Sequence, residues 1–215
     1  MNIAGLVNIA RKDFLNDTEE PFTWKNDFFL RSFSEAQRQA CSRVDFLFTD
    51  SLYIKLKSGV SSYLLPKELK RLTALVFDGV EIDKAFTEQL HREWRTDSGF
   101  ASSNRQCYVI RGNKITFSPK PDGADNAQNV YIEGYVMPVD NFISMSDEPL
   151  IPIEHHKALI HWVCYEAYSN EVTNADYLDK KDLERSQMHL ALFNQAFGDP
   201  VDAQVKQFNF VDVSL

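Results

Sequence analysis

Apolar side chains recur at helical spacing from the start of the chain. Ile3, Leu6, Val7, Ala10 and Phe14 predict an amphipathic helix of about four turns. It should stop near Asn16-Asp17-Thr18, whose short polar side chains compete for backbone hydrogen bonds, ahead of Pro21. Trp24 opens the next element, with Asn26 or Asp27 as its N-cap. Phe29, Phe33, Ala36, Ala40, Val44 and Leu47 then hold one stripe for about five turns, and Glu35, Gln37, Arg38, Gln39 and Arg43 fall largely on the other faces. A second helix is therefore expected over residues 24–48.

Beyond Asp50 the period changes from helical to alternating. Leu52, Ile54 and Leu56 alternate with Tyr53, Lys55 and Lys57, as in a half-buried strand, and Ser58-Gly59 supplies a turn before a returning strand over 61–65. Residues 72–77 read as a strand ending at Asp78-Gly79, a strong hairpin turn, with Val80 and Ile82 after it. A short helix bearing Leu90 and Trp94 is expected over 86–95, then a loop over 97–104. Residues 107–111, 114–118 and 129–137 form three further strands, the first two joined by Gly112-Asn113. Val130, Ile132, Gly134 and Val136 alternate with Tyr131, Glu133 and Tyr135, so both faces of the last strand carry apolar groups. That pattern points to a small barrel or sandwich.

Pro149 and Pro152 mark the return to helix. His156, Ile160, Val163, Cys164, Ala167 and Tyr168 share one face, residues 170–174 interrupt the pattern, and Leu183, Ser186, Leu190, Phe193 and Phe197 mark a last helix ended by Gly198 and Pro200. The expected fold class is α+β: a helical bundle made by both ends of the chain, with an inserted small β-barrel or sandwich. Residues 1–50 and 150–198 would form the helical core, 51–149 the inserted domain, and 199–215 an extended tail. Phe29, Phe33, Ala40, Val44, Ile160, Val163, Ala167, Leu190, Phe193 and Phe197 are the candidate packing residues of the helices and of any assembly they build. The layout suggests a compact platform carrying a projecting module.

Charge narrows the choice of partners. Lys and Arg number 23 against 31 Asp and Glu, a formal net charge of −8. That balance argues against tight, non-specific binding to phosphate backbones, although DNA could still slide past such a surface. Three isolated cysteines, Cys41, Cys107 and Cys164, indicate neither a disulfide framework nor a zinc knuckle and fit a reducing compartment. The first residues lack the continuous apolar run of a signal peptide, and no segment approaches a membrane span, so a soluble protein assembled in a cytoplasm is expected.

Candidate chemistry is sparse. Glu154, His155, His156 and His161 form the one histidine cluster noticeable in the sequence. Adjacent His155 and His156 diverge by about 100° on a helix, and His161 misses the i, i+4 spacing of a helical zinc pair. No metal, cofactor or catalytic set is assigned. Cys164 lies mid-helix on an apolar stripe, where a thiol is unreactive. Tyr131 and Tyr135 with Lys114 could imitate a base-stacking sheet, but the negative charge opposes it. The final segment is different: Phe208, Phe210, Val211, Val213 and Leu215 crowd apolar groups into an extended end that either packs on its own domain or docks on a partner.

Read in order, the landmarks form a series. Leu15-Asn16-Asp17-Thr18 and Trp24 precede Glu35-Ala36-Gln37-Arg38; Gly59, Tyr63 and Pro66 precede Asp78-Gly79; His156-Lys157-Ala158-Leu159 and Tyr165-Glu166-Ala167-Tyr168-Ser169-Asn170 precede Phe193 and Phe197-Gly198. This order resembles the phage adaptor proteins that join the portal of a tailed-phage head to the tail, up to about Gly198. Relatives tend to have Pro-x-Trp after the central turn, where this chain has Glu93-Trp94 without the proline. The resemblance implies a structural protein without catalysis. It implies a homo-oligomeric ring, typically of twelve copies, stacked below the portal at the head-to-tail junction of the virion and surrounding the DNA channel. Its implied partners are the portal and the tail or nozzle proteins, with DNA in transient passage and no membrane. Another neck or tail-completion protein is the alternative; a small metal-dependent hydrolase or nuclease around His155 and His156 is a more distant one.

Overall fold

In the computed structural model, which describes residues 1–85, 107–174 and 180–200, the first helix starts where Asn2 caps it. The Asn2 side-chain oxygen accepts from Gly5 N at 3.1 Å, satisfying one free amide of α1 (Ile3–Ile9). The helix then widens into a π-helical turn over Ala10–Leu15, which the sequence spacing does not distinguish from an α-helix. Asn16 ends it in the left-handed conformation, φ 51°, which Asn tolerates better than most residues. Helix α2 runs over Asn26–Arg43. Its N-cap is Lys25, without a side-chain cap, in place of the expected Asn26 or Asp27. It also ends earlier than the apolar stripe suggests: Val44 N still donates to Ala40 O at 2.9 Å, but Val44 itself is extended.

The chain forms two compact units, one from Met1–Leu47 with the described residues from Met137 onward, the other from Phe48–Val136. In the first, a 3-10 turn (Ile153–Ala158) leads into α3 (Leu159–Asn174), and α4 (Lys180–Phe197) follows. Helix α3 continues through 170–174, where the sequence pattern suggested a break. Gly198 ends α4 with φ 84°, its amide donating to Asn194 O at 2.7 Å. The core of this unit joins Ile3, Leu6, Phe29, Phe33, Ala40, Ile160, Val163, Phe193 and Phe197, all buried. Each fully buried Phe or Ile contributes about 2–3 kcal/mol by leaving water, so this stripe-to-stripe contact holds the helices together. No described helix is long and apolar enough to cross a membrane.

The described residues of the second unit hold eight strands: β1 (Phe48–Lys55), β2 (Ser62–Leu64), β3 (Leu69–Phe77), β4 (Val80–Glu81), β5 (Asp83–Lys84), β6 (Cys107–Arg111), β7 (Lys114–Ser118) and β8 (Asn129–Val136). They form two four-stranded sheets, ordered β1-β8-β3-β4 and β2-β7-β6-β5. Among the described residues neither sheet closes on itself, so the expected barrel is not formed. The expected strand β2 does not return beside β1. It pairs with β7 in the other sheet, with Tyr63 opposite Ile115. The turn between β1 and β2 is tied off by Tyr63, whose hydroxyl accepts from Lys57 N and donates to Val60 O, both at 2.9 Å. The Asp78-Gly79 and Gly112-Asn113 hairpins form as the turn residues predict. Ile54, Leu75, Val130 and Ile132 of one sheet and Tyr108, Ile115 and Phe117 of the other belong to one buried cluster.

The expected helix over 86–95, the loop over 97–104 and the tail residues Phe208, Phe210, Val211, Val213 and Leu215 lie outside the described residues.

Candidate functional site

Residues 137–152 of the helical unit carry no helix or strand, yet their backbone is held at many points. Ile3 N donates to Asp147 O and Ala4 N to Met145 O, both at 2.8 Å, so two free amides of the α1 start fasten the loop. Ser34 of α2 accepts from Phe142 N at 2.9 Å, and Gln37 of α2 accepts from Leu150 N at 2.6 Å. Arg38 donates to Asn141. Within the loop, one carboxylate oxygen of Asp147 accepts from Ile143 N and Ser144 N, at 2.8 and 2.9 Å.

This framework sorts the apolar residues. Met137, Phe142, Met145 and Ile151 pack on the core. Val139, Ile143 and Leu150 instead stand 67%, 86% and 62% exposed, and Ile153, just beyond, 69%. Single exposed apolar residues are ordinary on a protein surface; here the tethered backbone decides which side chains turn out and which turn in.

A groove of about 770 Å³ opens elsewhere on the same unit. Ile9, Asp13 and Phe14 line it from α1 and the π turn, Lys157 and Ala158 from the 3-10 turn, Ile160 and His161 from α3, and Leu192, Gln195 and Ala196 from α4. None of its lining residues comes from α2 or from the loop. The π turn shapes this wall. Its Phe14 carbonyl accepts from the Tyr168 hydroxyl at 2.6 Å, and the Phe14 ring meets His161 and His189 edge-on at 5.6 and 5.5 Å.

At the groove wall, His161 faces His189 through their Nδ1 atoms at 3.0 Å. One of these nitrogens must carry a proton and the other must be bare. Burial lowers the affinity of His161 for a further proton. Burial, and secondarily the neighbouring His161, lowers His189 to about 4. His189 was missed in the sequence, although Ser186, His189 and Phe193 keep helical spacing on the buried face of α4.

Arg11 and Asp17 brace the other end of the π turn. The guanidinium meets the Asp17 carboxylate at 2.9 Å and donates to Trp24 O at 2.6 Å; Asp17 also accepts from Thr23 N at 2.7 Å. Phe22 lies over the guanidinium, 3.8 Å from its carbon. Both charges are buried but fully engaged, which is the condition for tolerating them there.

The histidines prominent in the sequence serve structure. Both ring nitrogens of His156 face carbonyl oxygens, Met1 O at 3.1 Å and Ile151 O at 2.9 Å. His155 packs between Phe46 and Phe197. Among the described residues no group of three His, Cys, Asp or Glu could hold a metal ion. Burial pushes the Cys164 thiol up to about 12, so it stays protonated at neutral pH. Of the candidate packing residues, Phe29, Phe33, Ala40, Ile160, Val163, Ala167, Phe193 and Phe197 are buried inside the unit, Val44 packs partly against it, and Leu190 is half-buried.

In the β-rich unit, Tyr131 and Tyr135 do share a face, whereas Lys114 belongs to the other sheet. An irregularity in β1 between Thr49 and Leu52 brings Phe48 opposite Tyr135 and Tyr53 opposite Tyr131. Phe48 meets Tyr135 edge-on at 5.6 Å, and Arg71 stacks over the Tyr135 ring at 4.8 Å. Phe48, Tyr53 and Tyr131 are about half exposed. Exposed Tyr, Phe and Arg on one flat face is the composition of protein contact sites.

Comparison with family models gives a match over residues 1–210 to the model described as SU10 adaptor protein. No curated protein matches the chain.

Proposed function

The chain belongs to the SU10 adaptor protein family, a family of phage head-to-tail adaptors, and on that premise we propose that it is a ring subunit stacked below the portal. The observation that carries this reading is the family match over residues 1–210, which takes in both compact units. In this reading copies of the helical unit close into a ring, typically of twelve, around the DNA channel, and the assembled chain resides at the head-to-tail junction of the virion. The role is structural, without catalysis. The engaged histidines and the protonated Cys164 support it, because they are occupied in packing.

The unit boundaries support a helical body with a β-rich insertion, and the shared cluster of the two sheets supports a sandwich for that insertion. The aromatic face around Phe48, Tyr53, Tyr131 and Tyr135 would meet tail or nozzle components. Phe29, Phe33, Ala40, Val44, Ile160, Val163, Ala167, Leu190, Phe193 and Phe197 would serve the ring from within, by fixing the helices whose outer faces touch neighbours. An acidic balance suits a channel wall that repels DNA and lets it slide.

The tail residues Phe208, Phe210, Val211, Val213 and Leu215 would dock on the portal. Co-sedimentation with the portal of the same phage checks this. The full chain should pellet with the portal, and a chain truncated after Pro200 should lose most of that binding. Undiminished binding by the truncated chain would remove the tail from the interface.

A further inference from the structure

We propose that the His161–His189 contact is a proton-operated latch: when both rings carry a charge, the first half of α4, residues 180–189, comes away from α3 while the second half stays in place. This goes beyond the ring reading and does not depend on it.

The first argument is what holds each half of the helix. Among residues 181–189 the buried side chains are Ser186 and His189, both polar, while Leu183 and Met188 are exposed. Polar contacts fasten this half to α3. The Ser186 hydroxyl meets that of Ser169 at 2.7 Å and donates to Tyr165 O at 3.3 Å, and His189 meets His161. Beyond His189 the anchoring changes: Phe193 and Phe197 are buried in the core, and Arg43 donates to Asn194 and to Gly198 O, both at 2.7 Å. Opening the first half therefore exposes little apolar surface, whereas opening the second would expose two buried Phe side chains.

The second argument is the proton count. With the Nδ1 atoms 3.0 Å apart, one ring donates and the other accepts through a bare nitrogen. A first added proton can enter at Nε2 of the donor ring and leave this bond intact. The next must go to the accepting Nδ1, so that two N–H groups and two positive charges face each other.

The third argument is the surroundings. Burial opposes charge on both rings. Phe14 of the π turn meets both edge-on, and the Tyr168 ring stacks on His189 at 5.8 Å. Asp13 of the π turn and Lys157 of the 3-10 turn line the groove with His161 and are opposite in sign. Arg185 of α4 lies over Tyr168 and pairs with Asp182, and Glu166 of α3 is taken by Ser32 and Trp162. Among the described residues no carboxylate bonds to either ring, so nothing there offsets a second charge.

Hydrogen exchange of the full chain, read amide by amide from pH 7 to pH 4.5, tests the latch. Residues 184–189 report it, because the first four amides of a helix have no partner within it. Corrected for intrinsic rates, their opening should grow by about tenfold per pH unit below 6, the slope of one proton taken up on opening. The amides of Phe33, Ala40 and Phe197 should keep their protection. A chain carrying His161→Gln and His189→Gln retains two groups that can bond each other but take up no proton. Its exchange at residues 184–189 should lose the pH slope, whatever its absolute level. In the wild type at pH 7, nitrogen NMR of the imidazoles should find one of the two rings protonated at Nδ1 and the other at Nε2.

Protection of residues 184–189 that stays constant down to pH 4.5 would overturn the inference. So would an unchanged pH slope in the double variant, or two rings that are both protonated at Nε2 at pH 7. Loss of protection at Phe33, Ala40 and Phe197 in step with residues 184–189 would also overturn it, since the whole helical unit would then be unfolding together.

Discussion

At the scale of single residues, the buried polar groups define how this chain is held. Arg11 and Asp17 tie the end of the π turn to the approach to α2, and no charge in the pair lacks a partner. In the sequence, Asp17 showed only as part of a helix-stopping triplet, and nothing singled out Arg11. The i, i+6 relation of the two has no regular-helix meaning, so their pairing could not be read from spacing. His189 was equally hidden, because its partner His161 sits 28 residues away.

The histidine pair predicts a pH dependence. His189 is lowered in the folded state to about 4 from an ordinary 6.5, so the unfolded chain binds its proton first as pH falls. The stabilisation is present above pH 6.5 and is lost progressively from there toward pH 4, with His161 acting in the same direction. The full loss from His189 alone is roughly 3 kcal/mol. Urea unfolding should show a decline between pH 7 and 5, and His189→Gln should flatten it. An unchanged slope in that variant would assign the effect to other groups.

At the scale of elements, local patterns named most pieces, and only tertiary pairing decided the rest. The Phe29, Phe33, Ala36, Ala40 stripe gives α2 because one helical face must be buried, and Asp78-Gly79 gives a hairpin because both residues adopt positive φ, 50° and 75°. Alternation in residues 61–65 showed a strand but not its partner: period two fixes which face is buried, and β2 satisfies that equally well beside β7. The π turn was invisible because Ala10 and Phe14 suit either helix type.

Gly134 is the clearest element-level constraint. In the central strand β8 a Cβ there would lie 2.3 Å from Arg71 O, a backbone atom that cannot swing aside. Gly134→Ala should therefore destabilise the β-rich unit by about 2–3 kcal/mol through overpacking. Hydrogen exchange of β1, β3 and β8 amides should report the loss while the helical amides stay protected. Unaltered protection of those strands would show that β3 yields more easily than its bulged pairing suggests.

At the scale of the molecule, the α+β character and the helical ends were legible in the sequence because hydrophobic period switches from 3.6 to 2 and back. That the two sheets stay open among the described residues was not, since apolar residues on both faces of β8 arise equally when one face is core and the other an exposed aromatic surface. The family was legible from the order of weak landmarks and is shown by the match over residues 1–210. The exposure of Val139, Ile143 and Leu150 was not, because it depends on which loop residues the hydrogen bonds turn inward.

The ring below the portal is the central claim. Electron microscopy of the full chain mixed with the portal of the same phage tests it most directly. The account predicts a second closed ring stacked coaxially on the portal, its channel wall lined mainly by Asp and Glu. Portal rings that stay bare, or decoration by isolated copies without closure, would contradict it.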